Sequence, residues 1–152
     1  MKNQPTHILV HCSDSAGGTR ADIDQWHKER GFGGIGYHYV VLNGSLSPGG
    51  KNYVAIMDGH VDAGRPESQV GAHCPPFNAR SIGICAIGKR DLFTAPQLAA
   101  LDALISRLCK AYKIPSDRVI GHCEADPASK KTCPEMDMTA LRERVAALNA
   151  KG

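Results

Sequence analysis

Apolar positions change period several times along this 152-residue chain, and each change marks an element. Residues 6–12 carry branched and apolar side chains in a short run that predicts a β-strand. A polar, Gly-containing loop follows at 13–18. Thr19 with Asp22 three places on forms a capping-box pattern and Gly31 supplies a stop, so residues 20–30 are expected to be helical. Ile23, Trp26, His27 and Arg30 then fall on one side of that helix. A second strand is expected over 37–42, and the Pro-Gly-Gly stretch within 45–52 is the most flexible part. Residues 54–57 and 60–62 flank Asp58-Gly59, which predicts a tight hairpin, and 66–72 has room for one or two helical turns.

The second half is more regular. Residues 81–87 form a nearly continuous apolar run, as in a central strand covered on both faces. Thr94 and Gln97 cap a helix whose stripe of Leu98, Leu101, Leu104, Ile105, Leu108 and Tyr112 has helical spacing. Residues 118–121 read as a short strand leading to His122, and Asp137 caps a last helix through Leu141, Val145 and Leu148. Strands interleaved with helices predict one α/β domain over residues 1–152, a central mixed sheet flanked by about three α-helices. His11 and His122 both fall at strand ends, where open sheets place their sites, so the site is expected in a surface cleft.

Composition narrows the function classes. A net charge of +3 and a pI near 8.6 are mildly basic, and the basic residues are dispersed, so nucleic-acid binding is not expected. That balance suits polyanionic surfaces such as a bacterial wall, although with the charges dispersed ordinary solubility carries most of the weight. No stretch is long and apolar enough to span a membrane, and the first residues lack a signal-type apolar core. The expectation is a monomer made in the cytoplasm with no stable membrane association. Six cysteines in a chain of this length read as free thiols plus one metal ligand, with one disulfide left open.

The chemistry concentrates at His-Cys pairs: His11-Cys12, His73-Cys74 and His122-Cys123, the last followed by Lys131 and Cys133-Pro134. Imidazole and thiolate are ligands that zinc prefers, and a site with three protein ligands keeps a position for water. Most single histidines are not ligands. His11 and His122 rise above that background because each ends a strand, with its cysteine neighbour pointing the other way. Cys133 does so because it sits in a polar loop where a structural cysteine has little to pack against. Cys12, Cys85, Cys109 and Cys123 read as small core fillers. His73 is a candidate for the cleft lining, and Cys74 is the weakest alternative ligand. Lys131 is placed to stabilise a developing oxyanion. Among Tyr37, His38 and Tyr39, alternation puts the two tyrosines on one face, and spacing does not choose between the faces.

These residues carry a resemblance. The run from Ile23 to Phe32, then Ile35-Gly36-Tyr37-His38-Tyr39, is similar to the zinc-dependent N-acetylmuramoyl-L-alanine amidases. That family includes the phage amidase-type lysozymes (endolysins) and shares a fold with peptidoglycan recognition proteins. Val10-His11-Cys12-Ser13, Asp58-Gly59 before Ala63-Gly64-Arg65, Gly71-Ala72-His73, Asn78 before Ser81-Ile82-Gly83-Ile84, and His122 with Lys131 and Cys133-Pro134 also match, in order along nearly the whole chain. The resemblance implies that His11, His122 and Cys133 bind one zinc ion per chain and that Tyr37 and Lys131 assist catalysis. It places His73 and Asn78 near the substrate groove. The departure is the stretch 43–55, longer than the hairpin of the phage relatives, which allows an extended hairpin or flap beside the groove.

The implied reaction is zinc-dependent hydrolysis of the amide between N-acetylmuramic acid and L-alanine in peptidoglycan, on a wall reached after release from the cytoplasm. Two alternatives stand beside it: a non-catalytic wall-binding module, which retention of Cys133 argues against, and a cytoplasmic wall-recycling amidase. A thiol hydrolase is weaker, because adjacent strand residues face opposite ways and a His-Cys neighbour pair forms no dyad. A structural zinc site would need a fourth ligand, Cys12 or Cys74.

Overall fold

In a computed structural model that describes residues 1–151, five strands form one mixed sheet: β1 (His7–Cys12), β2 (Tyr39–Ser45), β3 (Tyr53–Ala63), β4 (Ser81–Ala86) and β5 (Val119–Gly121). Their order is β3-β2-β4-β1-β5. β4 pairs parallel with β1 and β2, β1 pairs parallel with β5, and only β2 with β3 is antiparallel. Among the described residues there are four α-helices: α1 (Arg20–Glu29), α2 (Ala95–Tyr112), α3 (His122–Ala125) and α4 (Met138–Ala150). The expected mixed sheet with three substantial helices is present, with the single-turn α3 in addition.

Side-chain alternation sorts the sheet into two faces. Ile8 and Val10 of β1, Val41 of β2 and Ile82 and Ile84 of β4 meet Leu101, Leu104, Ile105 and Leu108 of α2 and Leu141 and Val145 of α4. On the other face Val40, Leu42, Cys85 and Ile87 pack with Ile23 of α1 and with Ile35. The leucine stripe of α2 is thus the core stripe it was expected to be, and β4 is buried along its whole length. The α1 face is where a cleft can open. There β4 presents Ser81, Gly83 and Cys85 beside His7, Leu9 and His11 of β1, small side chains next to imidazoles.

Both capping boxes form: Thr19 with Asp22 at the start of α1, and Thr94 with Gln97 at the start of α2. Gln97 does more than cap. Its buried side-chain amide donates to the carbonyls of Val41 (3.0 Å) and Ile87 (2.7 Å), tying the helix to the middle of β2 and to the end of β4.

Three local expectations are corrected. Asp58-Gly59 is not a hairpin turn but a bulge inside the continuous strand β3, where the register with β2 shifts. Gly59 has φ of +85°, and a Cβ there would lie 2.8 Å from the Pro96 carbonyl oxygen, so glycine serves a close helix approach. The hairpin instead joins β2 to β3 through 46–52, so the longer stretch does form an extended hairpin. Its Ser45 and Pro48 carbonyls accept from Gly18 and Ala16. Residues 66–72 are not helical, because their backbone is used elsewhere: Lys2 bridges Gln69, Asn3 donates to Ser68, and Arg65 reaches the Val70 carbonyl. Finally, β2 starts at Tyr39, after a bend at His38. Alternation therefore does not reach back to Tyr37, which packs on the α1 face while Tyr39 packs on the α2 face.

Replacing Gln97 by Ala should leave the Val41 and Ile87 carbonyls short of a donor and lower stability by about 2 kcal/mol or more. Urea unfolding monitored at Trp26 measures this; a loss under about 0.5 kcal/mol, within the range of ordinary surface substitutions, would contradict the tie.

Candidate metal centre and active-site cleft

The register between β1 and β5 builds the site. Val10 stands opposite Gly121, so the next residues, His11 and His122, emerge side by side. Their rings lie 4.8 Å apart at 72°, and His11 Nδ1 is 3.1 Å from His122 Nδ1. His122 heads the single-turn α3 rather than extending β5, so strand alternation does not govern Cys123. Gly121 also admits the loop that follows: a Cβ there would lie 2.7 Å from Cδ of Pro134.

Cys133 reaches the pair from that loop. The Cys12 backbone N–H donates to its sulfur (3.0 Å), and the Cys123 N–H donates to its carbonyl (2.9 Å). Cys12 is therefore not only a core filler, since its backbone seats the loop thiol. One ring nitrogen each of His11 and His122 and Sγ of Cys133 all lie within 4.8 Å of one another. Two nitrogens bound to a tetrahedral zinc at about 2.0–2.1 Å stand roughly 3.3 Å apart, close to the Nδ1 separation here. Donor types and spacing both fit such an ion.

Burial sets the protonation of these groups. Desolvation, then the neighbouring His73, His122 and Lys131, holds His11 well below the ordinary histidine pKa. His122 is lowered by burial and by Lys131, with Asp126 opposing. Both rings are neutral at pH 7 and offer a lone pair. The Cys133 thiol is raised by its hydrogen bond to Cys12 and by burial, so a metal cation would have to displace its proton.

A second convergence lies on the other flank of His122, where Cys74 and Asp126 come within 4.8 Å of a ring nitrogen. The fully buried Cys74, a thiol raised by burial and then by Asp126, belongs to this group and not to the first.

The remaining candidates line one cleft of about 800 Å³ that also contains His11, His122 and Cys133. Tyr37 sits with its ring 4.9 Å from that of His11. Burial, and then the nearby thiols, raise its hydroxyl well above 10, so it stays a hydrogen-bond donor. Lys131 is exposed on the cleft wall. His73 approaches His11, with Nδ1 2.9 Å from His11 Nε2, and desolvation lowers its pKa to about 3. Asn78 accepts from the His73 and Cys74 backbone N–H groups through Oδ1 (2.9 Å each), which shapes the turn that carries His73.

Sequence reasoning gave no site role to the opposite wall, formed by Trp26, His27, Arg30 and Phe32. Helical spacing had put the first three on one side of α1, which was the available signal. His27 accepts from the Gly36 N–H (2.8 Å) and packs against Tyr37 with the rings tilted at 50° and their centroids 5.2 Å apart, so it anchors the segment that delivers the tyrosine.

Comparison with known proteins identifies the family. The family model for N-acetylmuramoyl-L-alanine amidase matches residues 1–136. The endolysin of Enterobacteria phage K11 is 30% identical over 151 residues, covering 90% of this chain and 85% of that protein. The endolysin of Escherichia phage T7 is 33% identical over 147 residues, with 90% and 85% covered. Among solved structures, the N-acetylmuramoyl-L-alanine amidase LysC from Clostridium intestinale URNW superposes with a TM-score of 0.75 at 30% identity, covering 97% of this chain and 87% of that one. A mixed sheet carrying two histidines and a cysteine at one cleft, in a sequence related to these proteins over most of its length, belongs to the N-acetylmuramoyl-L-alanine amidase family and is an enzyme of the endolysin type.

Proposed function

We propose that this amidase works with one zinc ion held by His11, His122 and Cys133, and that residues 1–152 act as a single, monomeric catalytic domain on the wall peptidoglycan. The observation that carries the reading is the meeting of two neutral imidazole nitrogens and one thiol at the floor of the cleft. When bound, the ion supplies the Lewis acidity that polarises the scissile carbonyl and makes water a nucleophile near neutral pH.

The chain's own residues do the rest. Tyr37 keeps its proton because ionisation in its buried surroundings is costly, so it donates a hydrogen bond at the reacting centre. Lys131 brings a positive charge to the wall where the carbonyl oxygen gains negative charge during attack. The ring faces of Trp26 and Phe32 and the charge of Arg30 supply the opposite wall, and His73 and Asn78 border the groove near the ligands. The amide of N-acetylmuramoyl-L-alanine is cleaved, and the L-alanine amine departs protonated. Among the described residues no helix is long and apolar enough to cross a membrane. Action on the wall after release from the cell interior is part of this proposal.

Digestion of purified peptidoglycan tests the metal dependence. New L-alanine amino termini should appear without new reducing sugars, disappear with a zinc chelator and return on adding zinc. Amino termini that persist after zinc is fully removed would rule out the metal role. A pair of variants separates ligand from assistant. Cys133→Ser should lose bound zinc and turnover together. Lys131→Ala should keep about one zinc per chain, the stoichiometry of a single site, while kcat falls by roughly 10²-fold, as when one oxyanion-stabilising group is removed. A fully active Lys131→Ala enzyme would end the oxyanion role.

A further inference from the structure

A chain of hydrogen bonds runs away from His11 and ends on a group that cannot donate. His11 Nε2 meets His73 Nδ1 at 2.9 Å, and His73 Nε2 meets the Ser81 hydroxyl at 3.4 Å. The Ser81 hydroxyl also lies 2.8 Å from the Phe77 carbonyl oxygen. A carbonyl only accepts, so the single Ser81 proton goes to Phe77. Ser81 Oγ then meets His73 as an acceptor, which puts the His73 proton on Nε2. His73 Nδ1 is left with a lone pair, and it takes the proton carried by His11 Nε2. That leaves His11 Nδ1 unprotonated, and this is the atom 3.1 Å from His122 Nδ1 in the ligand cluster.

Packing holds the relay in place. A Cβ on Gly83 would lie 2.6 Å from both Cδ2 and Nε2 of His73, and one on Gly71 would lie 2.5 Å from Cδ2. The ring is thus laid flat over two glycines, one of them on the α1 face of β4 next to Ser81. Asn78 fixes its backbone by accepting from the His73 N–H. Ring, acceptors and glycine bed all lie within residues 71–83, the turn that leads into β4, and the fold brings this stretch against His11 of β1.

We propose that His73 is a positioning residue: with Ser81 and the Phe77 carbonyl it locks His11 in the Nε2–H tautomer, so that Nδ1 is ready to bind the metal. The role rests on His11 being a ligand, and it differs from contact with substrate. Partners of this kind orient a ligating imidazole, and their removal typically weakens metal affinity on the order of 10- to 100-fold.

Three variants separate acceptance from packing. His73→Leu fills the space without an acceptor. His73→Asn places its amide oxygen where Nδ1 stood. Ser81→Ala keeps the ring and removes the hydroxyl, and it serves also if His73→Leu fails to fold. Two readouts are needed: zinc dissociation constants by competition with a chelator, and the tautomer of His11 by two-bond ¹⁵N–¹H correlation in the metal-free protein at neutral pH. The expected result is a pure Nε2–H form of His11 in the parent protein and a mixture in His73→Leu and Ser81→Ala. Zinc affinity should fall at least tenfold in His73→Leu, the lower end of that range, and be largely restored in His73→Asn. The proposal is overturned by a parent His11 that is not Nε2–H, by a His73→Leu protein that keeps both tautomer and affinity, or by equal losses in Leu and Asn. A parent protein that binds no zinc would instead remove the metal reading, and the tautomer result would still decide the relay.

Discussion

Everything at the active site depends on the parallel register of β1 between β4 and β5. Parallel neighbours run their side chains in step, so opposing Val10 to Gly121 delivers His11 next to His122, and opposing Leu9 to Gly83 sets a bare patch of β4 next to that histidine. A one-residue slip would turn His11 toward α2 and into the aliphatic core. The cost of such a slip is set by that core, because an imidazole set among its Ile and Leu side chains would lack hydrogen-bond partners. The apolar core therefore protects the position of the polar site.

How much of this was legible in the sequence follows from which physical signals are local. Capping boxes, the α2 stripe and the apolar run of β4 are properties of adjacent residues, and all three appear as read. The three metal-ligand candidates could be picked out because their residue types are chemically unusual at strand ends and in a polar loop. Asp58-Gly59 misled because the same dipeptide suits a turn and a bulge. The difference lies in Pro96 of α2, which is distant in sequence and approaches Gly59 closely. Residues 66–72 misled for a related reason, since their backbone partners, Lys2 and Asn3, lie at the other end of the domain. Tyr37 lost its alternation to a bend held by His27 and Gly83, through bonds that no periodicity encodes.

The histidines around the cleft share one electrostatic condition. His11, His27, His38, His73 and His122 are all lowered in pKa, and in each the largest cause is removal from water. A neutral imidazole has one donor and one acceptor, and fixed backbone partners decide how His27 and His38 use theirs. His27 accepts from Gly36. His38 accepts from Gly83 and so donates to Gln69. The same dryness that disfavours charge therefore makes a tautomer specific wherever a buried nitrogen has a fixed partner, as both nitrogens of His38 do. Had these rings been solvated, water would have served either tautomer.

Burial of the site also bears on when the metal enters. The two apolar clusters lie on opposite faces of the sheet, and none of the three proposed ligands belongs to either. Cys133 is held by two backbone N–H donors, His122 by the end of β5, and His11 by the C-terminal end of β1. Each anchor is a main-chain feature of the finished fold. Small zinc domains with little core must spend metal affinity on folding. Here a sheet of five strands and three substantial helices brings the donors together by itself. A zinc ion held there as proposed would meet ligands that the fold gathers, leaving its affinity for polarising substrate and water rather than for ordering the chain.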